Sequence, residues 1–421
     1  VARRGRRTKA PATLRTLDID RLGRSGDGLS GDIAVPFTLP GETVTAKVAA
    51  RKGRVERIEA ASPLRAAPPC RHFGLPGDGC GGCRMQHLRP DDYAQWKRDR
   101  LTSALGRVLG EVPTPAAYAS PPRSRRRAKL AFFRTRSGVQ VGFRRLGDER
   151  VVAIEECHVL TPELFELAHA LRPLIGVLPE SRGVVEAMVT MTAAGPDVDV
   201  TSADEPALPL PAREALSRMA EALDLARLSL GGVALVERRT PAIGLGGLEV
   251  ALPAGAFLQA TREGEAQLQG LVLDGAGEAE RVADLFCGVG TFALPLSQRA
   301  RVYAAEGDRQ AVDALKAAAR RGGRKVEAEA RDLFTRPLLG KELDAFDAVV
   351  LDPPRAGAAE QCEALARSAV PRIVYVSCNP DALARDARTL SGCYNLTRLS
   401  LVDQFLWSPH IEAVAIFERR E

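Results

Sequence analysis

Short apolar runs change their rhythm twice along this 421-residue chain, and each change marks a different kind of structure. Over residues 12–62 the runs TLRTLDID, DIAVPFTL, ETVTAKVAA and RVERIEA are β-prone and are separated by turn signals at Gly23, Ser25-Gly26-Asp27-Gly28 and Pro40-Gly41. That spacing predicts a small β-barrel; a five-stranded OB-like (oligonucleotide-binding) barrel fits the length, and a barrel without a ligand fits it equally. Residues 63–90 carry little periodicity. A helix then follows, with Asp91 or Asp92 near its start and Tyr93, Trp96, Leu101, Leu105 and Leu109 at helical spacing. KLAFFR, VQVGFR and RVVAIEEC read as successive strands, and the Ala/Leu/Pro-rich stretch 161–254 continues a central α+β domain. In the last third, RVADLFCGVG, ARVYAAEGD, RKVEAEARD, AFDAVVLDPP and PRIVYVSCNP alternate with helical segments such as DRQAVDALKAAARR. Strands and helices in that alternation predict a parallel sheet covered on both faces, with ligands bound beyond the carboxyl ends of its strands. The fold class is therefore multidomain α/β: a basic tail 1–11, a barrel 12–62, a central domain 63–250 and an α/β domain 251–421.

Composition adds constraints. Hydrophobic residues make up 45% and charged residues 27%, which excludes collagenous, wholly disordered and disulfide-scaffold classes. No apolar run approaches the roughly 20 residues that cross a bilayer, and VARRGRRTKAPATLR has no apolar stretch behind its charges, so a soluble, unsecreted, cytoplasmic protein is expected. The net charge of +6 is unevenly placed. Arg3, Arg4, Arg6, Arg7, Lys9 and Arg15 meet no acid in the first fifteen residues, and Arg123, Arg125, Arg126, Arg127, Lys129, Arg134 and Arg136 form a second run before Arg144 and Arg145. Such arms bind phosphate backbones by counterion release, although Arg outnumbers Lys throughout and a solvated face explains part of the pattern. Eight cysteines in a chain without an export signal point to metal binding or chemistry.

The chemistry concentrates at the expected strand ends. In Asp284-Leu285-Phe286-Cys287-Gly288-Val289-Gly290-Thr291-Phe292, Gly288 and Gly290 permit a tight turn against a ligand. The loop matches neither the dinucleotide fingerprint nor the triphosphate loop. Glu306 ends the next strand and is placed for ribose hydroxyls; Asp332 and Asp352 end the two after it. A glycine loop followed by acids on successive strands suits an adenosine-bearing, phosphate-free cofactor, S-adenosylmethionine. Pro353-Pro354 makes a stiff turn whose carbonyls are available to a substrate, and Arg355 after it suits a phosphate rather than a stacked base.

Cys378, in Val376-Ser377-Cys378-Asn379-Pro380, lies just before a helix start whose dipole favours thiolate, so it is the candidate nucleophile. Cys287, Cys362 and Cys393 read as small packing residues. A nucleophilic thiol in a methyl-transfer site answers a specific need: C5 of uracil attacks a methyl sulfonium only after something adds to C6. A base must then remove the C5 proton before the sulfur leaves. Glu412, at the start of a final apolar strand, is the candidate base, with His410 as a support or alternative.

DLFCGVGTF, LDPPRAG, YVSCNP and HIEAVAIFER, taken as an ordered set over the last third, resemble the RNA uracil-C5 methyltransferase family. The resemblance implies a Rossmann-like S-adenosylmethionine-dependent domain, Cys378 as covalent nucleophile and Glu412 as base. It implies cofactor contacts from Gln259, Phe286, Gly288, Gly290, Glu306, Asp332 and Asp352, with Thr261 standing where the family has Asn. Cys70, Cys80, Cys83 and Cys157 resemble the four-cysteine site of the ribosomal-RNA branch, and the barrel resembles its TRAM domain. Four thiolates hold a [4Fe–4S] cluster or zinc, and spacing does not choose between them. The implied partner is RNA, 23S ribosomal RNA first and transfer RNA second, with no membrane or protein partner. Cytosine-C5 methylation and an inactive RNA-binding assembly protein are the alternatives.

Overall fold

The computed structural model describes residues 12–74, 79–146, 149–178, 184–201 and 208–421; the expected basic arm Arg3, Arg4, Arg6, Arg7 and Lys9 lies outside them. The chain forms two compact units, one from Val1–Trp96, Phe143–His158 and Trp407–Pro409, the other from Lys97–Gly142, Val159–Leu406 and His410–Glu421.

In the first unit, the strands Thr13–Asp18, Thr43–Ala49, Lys52–Ala60, Ile33–Val35, Gly28–Ser30 and Arg21–Leu22 are neighbours in that order in a six-stranded sheet. Alternation in Thr43–Ala49 turns Val44, Ala46 and Val48 inward, where they meet Leu17, Ile19, Val35 and Val55. The sheet has six strands where five were expected. The Gly23–Asp27 turn, closed by Gly23 N–H to Asp27 O at 2.7 Å and by Gly26 at φ 78°, makes Arg21–Leu22 and Gly28–Ser30 a separate short hairpin.

The second unit holds two large sheets. In one, Gly138–Arg144, Arg127–Thr135, Val184–Thr192, Gly195–Thr201, Arg227–Leu230 and Val233–Glu237 are successive neighbours, antiparallel except between Gly195–Thr201 and Arg227–Leu230. The buried Arg227 guanidinium donates to both oxygens of Asp197 (2.9 and 2.7 Å) and to Leu252 O (3.0 Å), fixing the chain as it leaves this sheet.

The other sheet contains β1 (Arg281–Leu285), β2 (Arg301–Glu306), β3 (Val326–Ala330), β4 (Ala348–Leu351), β5 (Arg372–Ser377), β6 (Tyr394–Asp403) and β7 (Glu412–Arg419). Their spatial order is β3-β2-β1-β4-β5-β7-β6, with Ala116–Ala119 beyond β6. Strands β1 to β5 are mutually parallel and β7 is antiparallel to both its neighbours. β1 and β4 are adjacent while β2 and β3 lie to one side, so the strand order reverses at β1 and a crevice opens there at the carboxyl ends. β6 was not read from the sequence because Thr397 and Arg398 follow one another where its pairing with β7 slips register, which breaks the alternation.

Both faces of this sheet are covered, which is why its strands are continuous apolar runs. On one face Val282, Val302, Val350 and Val374 pack with Leu268 and Val272 of α1 (Arg262–Ala276) and with Val312 and Leu315 of α2 (Arg309–Arg321). On the other, Leu285, Val349, Ile373 and Tyr375 pack with Cys362 and Leu365 of α3 (Ala359–Ala366), with Leu383 and Ala387 of α4 (Pro380–Leu390), and with Leu101 and Leu105 of the helix Pro90–Leu109. Cys287 and Cys362 are buried packing residues as expected, and Cys393 is partly buried. Among the described residues no helix is long and apolar enough to cross a membrane.

The glycines of the loop after β1 are not equivalent. A methyl group on Gly290 (φ +99°) would stand 2.6 Å from the Leu315 side chain, whereas one on Gly288 (φ +52°) would meet nothing within 4 Å. Gly290→Ala should therefore destabilise the protein by about 1–3 kcal/mol through overpacking, and Gly288→Ala by about 1 kcal/mol through its backbone conformation alone. Urea titrations followed by far-UV circular dichroism check this; equal losses would contradict the packing account.

Candidate active site

Parallel pairing aligns the carboxyl ends of β1, β2, β4 and β5, and antiparallel β7 begins at that edge, so residues distant in sequence converge in the crevice. Asp284 near the end of β1, Glu306 closing β2, Asp352 just after β4, Cys378 just after β5 and Glu412 opening β7 are brought together, each acting on the charge of at least one other. Asp284 is fully buried, and no group completes a hydrogen bond to either of its oxygens, the Ala293 amide being the donor directed at it. Burial, then Asp352 and Glu306, hold its carboxyl well above the usual range. Burial and then Glu306 push Asp352 up to about 7, and burial and then Asp352 raise Glu412 well above its ordinary value. Acids held up by one another and by burial make a site that favours positive charge. Asp284 was not singled out as a site residue from the sequence, where it stands inside the apolar run RVADLF.

The cofactor candidates fall on one loop system. Glu306 accepts from Gly288 N–H through Oε2 (3.0 Å) and from Asp308 N–H through Oε1 (2.9 Å), tying the glycine loop to the start of α2. Phe286 adopts φ 65°, unusual for a side chain of its size, and its ring lies 5.5 Å from that of Phe334, which is 42% exposed. Phe334 was not singled out from the sequence. Asp332 is exposed, and its carboxylate accepts from Thr335 Oγ1 (2.9 Å) and Phe334 N–H (3.0 Å), bonds that hold its pKa below the usual carboxylate range. The turn after β3 thus uses that carboxylate.

Gln259 is 3% exposed and sits on a segment anchored from both sides. Arg126 N–H donates to Ala260 O (3.0 Å), and its guanidinium pairs with Glu265 at 2.7 Å and reaches Gln259 O at 3.4 Å. Thr261, in the place of the family's Asn, caps α1: its Oγ1 accepts from Gly264 N–H at 3.0 Å and lies 2.7 Å from Ser120 Oγ.

Three sequence expectations are corrected. Cys378 is not shifted toward thiolate; burial, Glu412 and Asp352 push it up to about 11, and Arg355 is the side chain that opposes them. The helix start that was expected to help is capped by the Asn379 side chain, which accepts from Asp381 N–H. Nor are all the carbonyls of the proline turn open: Pro354 O accepts from Gly357 N–H, and just beyond the prolines Arg355 O accepts from Asn379 Nδ2 and Ala356 O from Arg385 Nη2. The basic run at 123–145 is not one phosphate-facing stripe. Arg126 is buried against Glu265, and Arg134 donates to the carbonyls of Ile175, Gly176 and Leu178. Arg125 and Arg127 lie over the rings of Phe405 and Phe257 at 5.7 and 5.6 Å, and Phe257 is 67% exposed.

The loop between β6 and β7 carries residues the sequence reading missed. Lys97 Nζ, almost fully buried, pairs with Asp403 Oδ1 (2.6 Å) and donates to His410 O (2.7 Å). His410 is held down to about 4, by burial and then by Arg355, Lys97, Arg100 and Arg125, so its ring is neutral. Gln404 bonds both Gln259 and Ala260, and its amide faces Glu412.

In the first unit, Cys70, Cys80, Cys83 and Cys157 act electrostatically on one another. Burial first, and these neighbours, push Cys80 and Cys83 up to about 12. Gly82 N–H donates to Cys80 Sγ at 3.4 Å, as backbone amides do to ligand sulfurs. A gathered set of soft thiols fits a thiolate-bound group in its donor chemistry. Among the described residues, no three His, Cys, Asp or Glu side chains stand at the spacing of ligands to one metal ion.

Comparisons with known proteins agree on a family. A model of the tRNA (uracil-5-)-methyltransferase family matches residues 326–420. An uncharacterised RNA methyltransferase of Rhizobium meliloti is 43% identical over 416 residues, covering 96% of this chain and 99% of its own. The 23S rRNA (uracil(1939)-C(5))-methyltransferase RlmD of Pseudomonas putida is 36% identical, covering 96% and 93%. Among solved structures, the Pyrococcus abyssi tRNA (uracil-54, C5)-methyltransferase in complex with S-adenosyl-L-homocysteine shares the fold at a TM-score of 0.75, with 24% identity and coverage of 96% and 100%.

If the carboxylates hold Cys378 as a thiol, its alkylation by iodoacetamide, followed by peptide mass mapping, should still be rising at pH 10. Glu412→Gln and Asp352→Asn should each move the midpoint down by removing a negative charge. Alkylation already maximal at pH 8 in the unmutated protein would contradict this.

Proposed function

This chain belongs to the RNA uracil-C5 methyltransferase family and is an S-adenosylmethionine-dependent enzyme, and from that premise we propose that it methylates uracil C5 in 23S ribosomal RNA in the cytoplasm. The observation that carries the mechanism is the meeting of Cys378, Glu412 and Asp352 in one water-poor crevice. The RlmD relative favours ribosomal over transfer RNA.

In this mechanism the Cys378 thiol loses its proton to solvent and its sulfur adds to C6 of a uracil splayed from the RNA stack. Addition makes C5 nucleophilic, and C5 takes the methyl group. S-adenosylmethionine, when bound, supplies that methyl as an electrophile on a sulfonium whose positive charge offsets the carboxylates. Glu412 as carboxylate then removes the C5 proton, the C6–sulfur bond breaks, and the C5–C6 double bond returns. Gln259, Phe286, Gly288, Gly290, Glu306 and Asp352 would hold the cofactor, with Asp332 acting through the turn it closes. Arg355, exposed beside Cys378, would meet an RNA phosphate.

The first unit would contribute a TRAM-like RNA-binding sheet and, through Cys70, Cys80, Cys83 and Cys157, a [4Fe–4S] cluster of structural role. A single zinc ion needs sulfurs about 3.8 Å apart, from tetrahedral geometry at Zn–S of about 2.3 Å. A cluster spreads its ligands further, and the mutual electrostatic coupling of the four thiols supports a shared thiolate-bound group.

RNA containing 5-fluorouridine cannot release its C5 substituent, so with S-adenosylmethionine it should become covalently trapped at residue 378. Cys378→Ala should bind RNA but neither trap nor methylate it; trapping by that variant would overturn the nucleophile assignment. For the metal group, anaerobically purified protein should be brown with broad absorbance near roughly 400 nm, lost in Cys83→Ser. Stoichiometric zinc without iron would replace the cluster.

A further inference from the structure

Among the buried polar side chains of the site, Gln404 has no part in the proposed mechanism. Gln404 is 2% exposed, and Gln259 and Glu412 are 3% and 5% exposed, so no solvent competes for its amide. The orientation of that amide is fixed. Ala260 N–H needs an acceptor and finds Gln404 Oε1 at 2.8 Å, which turns Gln404 Nε2 toward Gln259 Oε1 at 2.5 Å. The flipped amide would set N–H against N–H and oxygen against oxygen. Nε2 has a second hydrogen, and the β6–β7 register, which pairs Val402 with Glu412, places Gln404 two residues past that pair, beside the Glu412 carboxyl. A Cβ on Gly264 would lie 2.8 Å from Gln404 Cβ, so a glycine in the first turn of α1 is what lets the helix start close over this side chain.

We infer that Gln404 is a positioning residue that couples the cofactor loop to the catalytic base: one N–H holds Gln259 in its cofactor-facing rotamer while the other aims the Glu412 carboxyl. The inference deepens the proposed mechanism and rests on Glu412 being the base. Glu412 faces Asp352 after β4, Cys378 after β5 and Gln404 after β6. Glu306 stands behind Asp352, the Lys97–Asp403 pair is adjacent to Gln404 in the chain, and Arg355 and the neutral His410 lie on the Cys378 side. Among these, Asp352 raises Glu412 and the Gln404 bond lowers it. A base works in its ionised form, so losing that bond removes activity from the acid side of the pH profile upward.

The test measures single-turnover methylation of unmodified 23S ribosomal RNA, transcribed in vitro, against pH. Gln404→Met keeps the volume and removes both donors. Its acid limb should move up by about one pH unit, with about tenfold slower transfer at pH 7 that converges on the unmutated rate at high pH. Its Kd for S-adenosylmethionine should rise several-fold, while covalent capture by 5-fluorouridine RNA persists, because Cys378 is untouched. Gln259→Met breaks the same chain from its other end and should give a smaller shift in the same direction, which keeps the test available if Gln404→Met does not fold. Superimposable pH profiles in a folded variant would overturn the inference. Glu412→Gln in the same assay separates it from the underlying mechanism: that variant should accumulate the covalent RNA adduct. Normal turnover by Glu412→Gln would remove the base itself, whereas an accumulated adduct with an unshifted Gln404→Met removes only the coupling.

Discussion

Carboxyl groups and a thiol are forced together where water is scarce, and this is the constraint on which the rest of the protein depends. Asp284, Glu306, Asp352 and Glu412 come from four strands of one sheet; parallel pairing leaves the ends of β1, β2 and β4 level, and antiparallel β7 begins at that same edge. Each raises the cost of ionising a neighbour, as the upward displacement of Asp284, Asp352, Glu412 and Cys378 shows. A site so charged is poised for a cation. The same repulsion that holds Cys378 as a thiol is relieved by positive charge, so nucleophile activation is tied to ligand arrival instead of being permanent.

Holding such a site requires stiff surroundings, and they are supplied by polar contacts buried outside it. Arg126 with Glu265 anchors the Gln259 segment, Lys97 with Asp403 anchors the segment that carries Gln404, and Asp386 accepts from Tyr375 (2.6 Å) and from Ala358 N–H (2.8 Å) behind the proline turn. Buried pairs of this kind add little net stability, yet removing one partner costs about 3–5 kcal/mol because the other is left charged without compensation. Their service is geometric. Each joins segments far apart in the chain and leaves the crevice side chains few alternatives.

This scaffold changes the meaning of the arginine-rich stretch. Charge density at 123–145 marks a phosphate-binding face when it is considered alone, but Arg126 and Arg134 spend their donors on the protein's own carboxylate and carbonyls. What remains is more selective: Arg355 beside Cys378, the Arg125–Phe405 pair and the Arg127–Phe257 pair with its exposed ring. Guanidinium planes and aromatic faces of this type suit splayed bases as well as phosphates.

The sequence by itself determined the elements whose pattern is local. The β-runs of residues 13–60, the helix Pro90–Leu109 and the five parallel strands follow from alternation, apolar runs and turn residues, which depend on near neighbours only. Cys378, Glu306 and Asp352 were legible because a reactive or charged residue that ends an apolar run is conspicuous. The tertiary structure alone decided the rest. β6 is invisible where Thr397 and Arg398 interrupt its pattern, since only pairing with β7 makes it a strand. Asp284 hides inside an apolar run, and Gln404 is an ordinary glutamine until folding sets it between residues 145 positions away and 8 positions ahead. The ionisation of Cys378 was misjudged for the same reason. A helix start is written in adjacent residues, whereas burial and two carboxylates from other strands exist only after the sheet has formed.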